Sequence, residues 1–167
     1  MTFLGIDPGT ETTGYGVVRA QSRGQRIECA DYGCIRTSRK KTAGERLVAL
    51  ETELLAILKT HAPDAMAVES LFFFKNLKTA MPVSQARGVV LLVGTKCHIP
   101  IHEFTPLQVK MTITGYGNAE KIQVQRMVKE LLKLKEIPKP DDAADALAIA
   151  VACSVASNNP LYAPRMQ

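Results

Sequence analysis

Four acidic residues lie beside apolar segments, at points where the chain passes from one predicted element to the next. Asp7 and Glu69 end two apolar runs, and Asp142 and Asp145 stand at the head of a third. The spacing of Asp142 and Asp145 places their Cβ atoms roughly 5 to 6 Å apart on one helix face. Carboxylates packed together repel unless cations hold them, and all-oxygen ligands suit Mg²⁺ or Mn²⁺. The four acids therefore predict a site for two divalent cations, which cleave phosphodiester bonds when they lie roughly 3.5 to 4 Å apart.

Each of these acids also has an ordinary structural explanation. An acid at a helix start commonly caps the helix, and an acid at a strand end is commonly solvated. The four acids together are harder to explain in this way, because unpaired charge beside near-core residues is costly. We therefore favour the metal-site interpretation of the whole group.

Helical spacing alone leaves open which acid is the partner of Asp145. Asp141 is four residues before it and Asp142 three, so either pair could share a helix face. Asp141 follows Pro140, a position where a side chain commonly caps the first amides of a helix. Capping would engage the Asp141 oxygens, which favours Asp142 as the metal ligand.

Basic and aromatic residues indicate a polyanionic partner. The chain has 21 Lys and Arg against 16 Asp and Glu, which gives a net charge of +5. Only 5% of the residues are aromatic, yet Phe72, Phe73 and Phe74 follow one another and precede Lys75 and Lys78. Two interpretations of the Phe cluster are equally favoured: a hydrophobic anchor for the next helix, or an exposed wedge that stacks on bases. A second basic group comprises Arg36, Arg39, Lys40 and Lys41.

A glycine-rich turn follows Asp7 and contains Gly9, Gly14 and Gly16. Such a turn can cradle a phosphate, as in sugar kinases and actin-like ATPases, or can simply form a tight hairpin. The kinase and ATPase folds need two lobes, and a chain of 167 residues holds one. The sequence therefore disfavours a nucleotide-binding fold.

Composition limits the class of protein. Hydrophobic residues make up 46% of the chain and charged residues 22%, as in an ordinary globular domain. The longest apolar run, Ala146–Cys153, is far shorter than the roughly 20 residues of a membrane span, and no secretory signal is evident. The four cysteines form neither a zinc motif nor a C-x-x-C pair, so we expect reduced thiols in a cytoplasmic protein.

The first half of the chain predicts a sheet covered by one helix. Segments Thr2–Asp7, Gly14–Arg19 and Ile27–Thr37 are typical of an antiparallel meander. An amphipathic helix is predicted over Ala43–Thr60. The apolar run Ala65–Glu69 suits a buried strand parallel to the first, so Asp7 and Glu69 are expected at the same sheet edge.

The second half alternates helices with strands. A helix is predicted over Ser84–Lys96 and a strand over Ile99–Phe104, followed by a helix that begins after Asn118 as N-cap. A last helix opens at Asp141 or Asp142, and its stretch Ala146–Cys153 is apolar on every face, as expected of a helix between the sheet and an outer layer. The whole pattern predicts an α/β fold with a mixed sheet flanked by helices.

Several motifs occur in order along the chain. They are Gly5-Ile6-Asp7-Pro8-Gly9, Glu69 with Phe72 and Lys75-Asn76, Gln85-Ala86-Arg87-Gly88, Gln108-Val109-Lys110, Gly117-Asn118-Ala119-Glu120-Lys121, and the run from Asp142 to Ala150. Together they resemble the RuvC family of Holliday-junction resolvases. The resemblance implies a ribonuclease H-like fold with a five-stranded mixed β-sheet. We predict one nuclease domain over 1–157, and the composition after it indicates a loosely held tail over 158–167.

The resemblance implies roles for individual residues. The metal-binding carboxylates of the family correspond to Asp7, Glu69, Asp142 and Asp145, and its basic residues near the active site correspond to Lys110 and Lys121. The aromatic residue that stacks near the junction centre corresponds by spacing to Phe72, although Phe73 and Phe74 extend the aromatic run. We expect contacts with DNA from Phe72, Phe73, Lys75, Lys78, Arg87, Lys110 and Lys121.

The same resemblance implies a reaction and its partners. Members of the family act as homodimers that nick two opposed strands of four-way DNA, leave 5′-phosphate and 3′-hydroxyl ends, and cooperate with the branch-migration proteins RuvA and RuvB. The reaction is metal-assisted hydrolysis without a covalent intermediate, and we place His61, His98 and His102 outside the site. Two alternatives remain at this point: a nuclease acting on structured RNA, and a junction-binding protein that does not cleave.

Overall fold

A computed structural model describes residues 1–9, 11–21, 26–70 and 77–158. These residues form five strands and five helices in one chain order. The elements are β1 (Thr2–Asp7), β2 (Thr12–Ala20), β3 (Ile27–Arg36), α1 (Ala43–His61), β4 (Ala65–Glu69), α2 (Leu77–Lys96), β5 (Ile101–Phe104), α3 (Pro106–Thr114), α4 (Lys121–Leu131) and α5 (Asp141–Asn158).

The five strands form one mixed sheet with the order β3-β2-β1-β4-β5. β1, β2 and β3 pair antiparallel, which confirms the predicted meander. β4 lies parallel to β1, and β5 lies parallel to β4. The predicted five-stranded mixed sheet is therefore confirmed.

Alternation of side chains along the strands divides the core between the two faces of the sheet. On one face, which we call the α5 face, Phe3 and Ala67 pack with the small residues of α5. On the other, which we call the α1/α2 face, Leu4 packs with Leu54 of α1 and Val90 of α2. Each strand therefore presents its odd and even residues to different helices.

The helix α5 is buried on all sides, as its uniformly apolar sequence predicts. Its residues 143, 144 and 146–153 are all at most 2% exposed. One side of the helix covers the sheet, while Val109 of α3 and Val124 and Val128 of α4 belong to the same core cluster on its outer side. The packing of α5 thus supports a rigid position for the acids at its start.

Capping signals in the sequence position α1. The Thr42 hydroxyl accepts from the Glu45 backbone N–H, and the Glu45 carboxylate accepts from the Thr42 N–H. This reciprocal arrangement satisfies two amide donors that the first turn of a helix leaves free. The helix then buries Leu50, Leu54 and Leu58 on the sheet, as the apolar stripe predicts.

Several predicted boundaries are wrong. α2 begins at Leu77 and not at Ser84, so that Pro82 lies inside the helix. β5 begins at Ile101 and not at Ile99, because Pro100 lacks the N–H needed for the ladder. β2 is longer than predicted at both ends. The N-cap of α4 is Glu120 and not Asn118, since the Gln123 side chain accepts from the Glu120 N–H.

The helix α3 is absent from the sequence prediction. It is short and buries only Val109 and Ile113, so its apolar periodicity is weak. The local signal was nevertheless present, because Thr105 and Gln108 form a capping box and Pro106 occupies the first helical position. Capping residues would have identified this helix where periodicity did not.

Three further expectations concern the end of the chain, the cysteines and membrane-spanning segments. Asn158 ends α5, and the rest of the predicted tail over 158–167 lies outside the described residues. All four cysteines are free thiols, as predicted. None of the helices in the described ranges is long and apolar enough to span a bilayer.

Candidate active site

Strand pairing places Asp7 and Glu69 side by side. Ile6 of β1 is the register partner of Val68 of β4, so the next residue on each parallel strand is an acid. Both acids lie on the α5 face, since Asp7 follows Phe3 and Glu69 follows Ala67 by an even number of residues, and a hydrogen bond joins their carboxyl groups. The expectation that these two acids meet at one sheet edge is confirmed.

Glycines on β1 and β2 allow α5 to approach the sheet closely. A Cβ added at Gly5 would lie 2.2 Å from the carbonyl oxygen of Ala146, and one at Gly14 would lie 2.0 Å from that of Asp142. Gly14 is also the register partner of Asp7. The first turn of α5 therefore rests on the strands next to Asp7. Gly14 lies within β2, so neither a phosphate cradle nor a hairpin turn accounts for it.

Burial and the proximity of the acids to one another raise the pKa values of three of them. Burial, followed by the charges of Glu69, Asp145 and Asp142, raises the pKa of Asp7 to about 8. Burial and the charge of Asp145 also raise the pKa of Glu69 above its usual range. Burial raises the pKa of Asp145 too, although Lys121 opposes this effect. Asp7 therefore retains its proton at neutral pH in the absence of a cation, because burial and the neighbouring acids disfavour its charged form.

Lys121 joins α4 to the start of α5. Its Nζ donates to Asp145 Oδ2 at 2.8 Å and lies 3.3 Å from Asp141 Oδ2. Burial alone would lower the pKa of Lys121, but the hydrogen bonds and charges of Asp145 and Asp141 outweigh it and raise the pKa. Lys121 is thus a charged neighbour of the acid cluster, as the sequence predicted.

The predicted capping role of Asp141 is wrong. The first free amides of α5, those of Ala143 and Ala144, bond to the carbonyl oxygen of Pro140. The Asp141 carboxylate points towards α4 instead, where it accepts from Gln125 Nε2 at 3.3 Å in addition to its contact with Lys121. Asp141 is therefore engaged by α4, which still leaves Asp142 as the acid free for another ligand.

The chemistry of these side chains fits hard divalent cations. All four are carboxylates, which are the oxygen ligands that Mg²⁺ and Mn²⁺ prefer, and their mutual repulsion would be relieved by added positive charge. In the described ranges, no three His, Cys, Asp or Glu side chains are gathered closely enough to hold a metal ion. Direct ligation by the four acids accordingly stays a prediction.

The remaining predicted residues fall into three groups. Lys110 lies half-buried on α3 and makes no ion pair within the part of the chain that the structure describes. Arg87 of α2 forms an ion pair with Glu103 of β5, at 2.5 Å between Nη2 and Oε2. Four residues lie outside the described ones, as does the side chain of Lys78: Phe72, Phe73, Phe74 and Lys75.

Sequence reasoning missed two kinds of residue near the site. Gly14 and Gly16 were explained by the turn after Asp7. Their spacing of two residues, like that of Gly5 and Asp7 on β1, was a signal that they lie on the same sheet face as Asp7. Glu103 was not considered at all. No local pattern marks Glu103, because its partner Arg87 is on another element.

Comparison with known proteins gives concordant results. The family model described as "Crossover junction endodeoxyribonuclease RuvC" matches residues 3–153. Proteins of that name from Caldicellulosiruptor saccharolyticus and Desulforamulus reducens are similar to the chain. The first is 50% identical over 162 residues, 97% of each chain. The second is 54% identical over 151 residues, 90% of this chain and 91% of the other.

Solved structures are similar along most of the chain. The Thermus thermophilus RuvC structure is 35% identical with a TM-score of 0.87, covering 94% of this chain and 95% of the other. A structure of the same protein in complex with a Holliday junction substrate is 32% identical with a TM-score of 0.85 and the same coverage. The yeast mitochondrial Holliday junction resolvase, 14% identical with a TM-score of 0.57, shares the fold.

Proposed function

The chain belongs to the RuvC family of crossover junction endodeoxyribonucleases, and we propose that it resolves Holliday junctions by paired nicks on opposed strands. The observation that carries the proposal is the meeting of Asp7 and Glu69 at one sheet edge beneath the start of α5. A protein that only bound junctions would not need buried, mutually repelling acids. The names of the relatives disfavour the alternative of a nuclease for structured RNA.

Nucleases of this family depend on metal ions, and the acid cluster supplies suitable ligands. We assign the binding of two cations, Mg²⁺ or Mn²⁺, to Asp7, Glu69, Asp142 and Asp145. When bound, such cations supply Lewis-acid activation of water and offset charge at the scissile phosphate. Asp7, whose pKa is about 8, must lose its proton before its carboxylate can bind a cation fully.

Lys121 is suited to a role at the phosphate. In the absence of DNA its ammonium group compensates the charge of Asp145. A cation held by Asp145 would compete for the same oxygen, and the released ammonium group could then neutralise part of the phosphate charge. Lys110 is assigned a similar role on the basis of the family match alone.

Contacts with DNA extend beyond the acids. The resemblance and the excess of basic residues support a DNA-binding surface that includes Phe72, Phe73, Lys75, Lys78, Lys110 and Lys121. Arg87 is left out of this surface because its guanidinium group is already paired with Glu103. A stacking aromatic contributes roughly 1 to 3 kcal/mol per base, and only where the bases are unstacked.

Symmetric cleavage requires two active sites. A two-fold dimer presents two identical sites to two like strands, so we propose a homodimer. Exposed apolar residues on α2 support it, because Met81 is 70% and Leu92 50% exposed. Cooperation with RuvA and RuvB and a cytoplasmic location belong to the same proposal.

The central experiment compares three substrates. Labelled four-way junction, plain duplex and structured RNA are each incubated with the protein in Mg²⁺, Mn²⁺ or chelator. We expect symmetric nicks in the junction only, and only with a divalent cation. Cleavage of RNA in preference to the junction, or none of any substrate with either metal, would contradict the proposal.

Sedimentation tests the dimer separately. At concentrations that support cleavage we expect a species of twice the mass of one chain and two nicks per junction. A monomer that introduces a single nick per junction would contradict symmetric resolution.

A variant tests the aromatic residues of the DNA-binding surface. Phe72→Ala, alone or with Phe73→Ala, is expected to weaken junction cleavage more than duplex binding, because only a junction offers unstacked bases. If both variants lose thermal stability and bind every DNA normally once folded, the rings are hydrophobic anchors.

A further inference from the structure

An ion pair links α2 to β5, the strand that pairs with the strand carrying Glu69. Arg87 Nη2 lies 2.5 Å from Glu103 Oε2, and the side chains are only 19% and 34% exposed. Arg87 Nε is buried and has no hydrogen-bond partner among the described residues. A guanidinium group removed from water in this way depends on Glu103 for compensation of its charge.

The Glu103 carboxylate also contacts Ser70. The Ser70 hydroxyl donates to the same Oε2 atom at 3.4 Å, and the Ser70 backbone N–H donates to the carbonyl oxygen of Phe104 at 2.8 Å. Ser70 directly follows Glu69, whose register partner on β5 is Phe104. Side chain and backbone together therefore hold the chain at the point where it leaves β4.

The direction of each side chain explains why this contact matters. Alternation along β4 turns Glu69 towards the α5 face with Ala67, and turns Ser70 towards the α1/α2 face. A change in the rotation of the chain at Ser70 would move the Glu69 carboxyl group away from Asp7. The contact on one face of the sheet thus restrains the acid on the other.

We propose that Arg87 is a positioning residue: through Glu103 and Ser70 it orients Glu69 for metal binding, and it does not itself contact DNA. This inference rests on the proposed function, since it assigns Glu69 to the metal site. The sequence alone did not suggest this role for Arg87, because Arg87 is on α2 and its partner Glu103 is on β5. The resemblance had implied that Arg87 contacts DNA.

The test measures Mn²⁺ binding without DNA by isothermal titration calorimetry, junction binding in chelator, and single-turnover cleavage. The variants are Arg87→Ala, Glu103→Ala and the double variant. Each single change is expected to weaken Mn²⁺ binding and to slow cleavage about tenfold, with junction affinity unchanged within twofold. The double variant should lose about tenfold and not a hundredfold, because both residues act through the same contact.

Two further variants separate positioning from a loss of folding. Ser70→Ala removes only the last contact and should weaken Mn²⁺ binding about threefold in a fully folded protein. Glu103→Gln keeps an oxygen that accepts from Arg87 and Ser70, so it should retain most of the Mn²⁺ affinity. The matched control is Lys96→Met, which breaks the exposed ion pair of α2 with Glu51 and should change nothing.

Specific results would overturn the proposal. Arg87→Ala would be a DNA contact if it weakened junction binding in chelator and reduced its salt dependence while Glu103→Ala bound normally. Unchanged Mn²⁺ affinity in both Ser70→Ala and Glu103→Ala would show that the contact does not orient Glu69. A wild-type protein that binds Mn²⁺ but cleaves no junction would contradict the proposed function and leave the positioning role intact.

Discussion

On the α5 face of the sheet a helix backbone lies against the strands, whereas on the α1/α2 face large aliphatic side chains fill the space between strands and helices. A Cβ added at Gly5 would meet the backbone of α5 at 2.2 Å. On the opposite face, the side chains of Leu4, Ile6 and Leu54 are fully buried and belong to a single hydrophobic cluster.

The two faces contribute differently: the α5 face fixes the position of the acids, and the α1/α2 face contributes to stability. Backbone atoms cannot rotate away from an intruding group. The close contact of the α5 backbone with β1 and β2 therefore fixes the distance of Asp142 and Asp145 from the ends of the strands. Large side chains can shift rotamers and relax around a change, so the α1/α2 face supplies stability with a wider tolerance. Catalytic geometry is therefore expected to be sensitive on one face, and stability on the other.

The largest expected effect is loss of the acids on the α5 face. Asp142→Asn and Asp145→Asn should each reduce junction cleavage by roughly a thousandfold or more, because each loses a metal-binding carboxylate. Junction binding in chelator should be retained or strengthened, since a negative charge near phosphate is removed. Binding titrations and single-turnover cleavage of the same preparations check both parts. Normal cleavage by either variant would remove that acid from the metal site.

The next effect is steric and separates the two faces directly. Gly14→Ala should slow cleavage by about a hundredfold in folded protein, because its Cβ would displace the backbone of α5 at Asp142. Gly44→Ala is the matched control, since a Cβ there meets nothing within 4 Å. Equal activity of the two variants would show that close approach of α5 is not needed.

A substitution on the α1/α2 face is expected to reduce stability and leave cleavage almost unchanged. Leu54→Ala should destabilise the protein by about 2 to 5 kcal/mol through loss of buried contacts and creation of a cavity. Cleavage per folded molecule should change less than threefold. Urea unfolding and cleavage assays below the unfolding transition measure the two quantities, and a large loss of cleavage at full folding would contradict the distinction between the faces.

A pH effect sharpens the same comparison. The pKa of Asp7 is about 8 in the folded protein, well above that of an aspartic acid in an unfolded chain. The folded state therefore holds more protons between about pH 4 and pH 8, and without metal the free energy of unfolding should fall as pH rises through that window. Asp7→Asn should flatten this dependence, and Mg²⁺ should restore stability at pH 8. Denaturant titrations in chelator between pH 5 and pH 9 test the direction; a rise in stability over this range would contradict it.

The smallest expected effect concerns Asp141. Asp141→Asn keeps an oxygen that accepts from Gln125 and removes one of the two carboxylates beside Lys121. Cleavage should change less than threefold, because Asp145 retains its hydrogen bond with Lys121. An inactive, folded Asp141→Asn alongside a fully active Asp142→Asn would reverse the assignment of the ligands.

Much of the fold and the central acids could be predicted from local patterns. The bounds of β1 and β4 match the sequence prediction, because each is a short apolar run ended by an acid. Parallel pairing of two such strands is enough to bring Asp7 and Glu69 together. The helices α1 and α5 could also be predicted. A helix buried on one face has a periodic apolar pattern, as in α1, and a helix buried on all faces has a continuous apolar run, as in α5.

Beyond Asp7 and Glu69, only the tertiary structure decided which polar groups meet. Arg87 and Glu103 are on different elements, Lys121 and Asp145 are 24 residues apart, and Asp141 turned out to face α4 and not the amides of its own helix. The close approach that needs Gly5 and Gly14 likewise depends on where α5 rests. Such contacts arise from the packing of elements distant in sequence, and a contact of a few ångströms between them leaves no periodic trace in either segment.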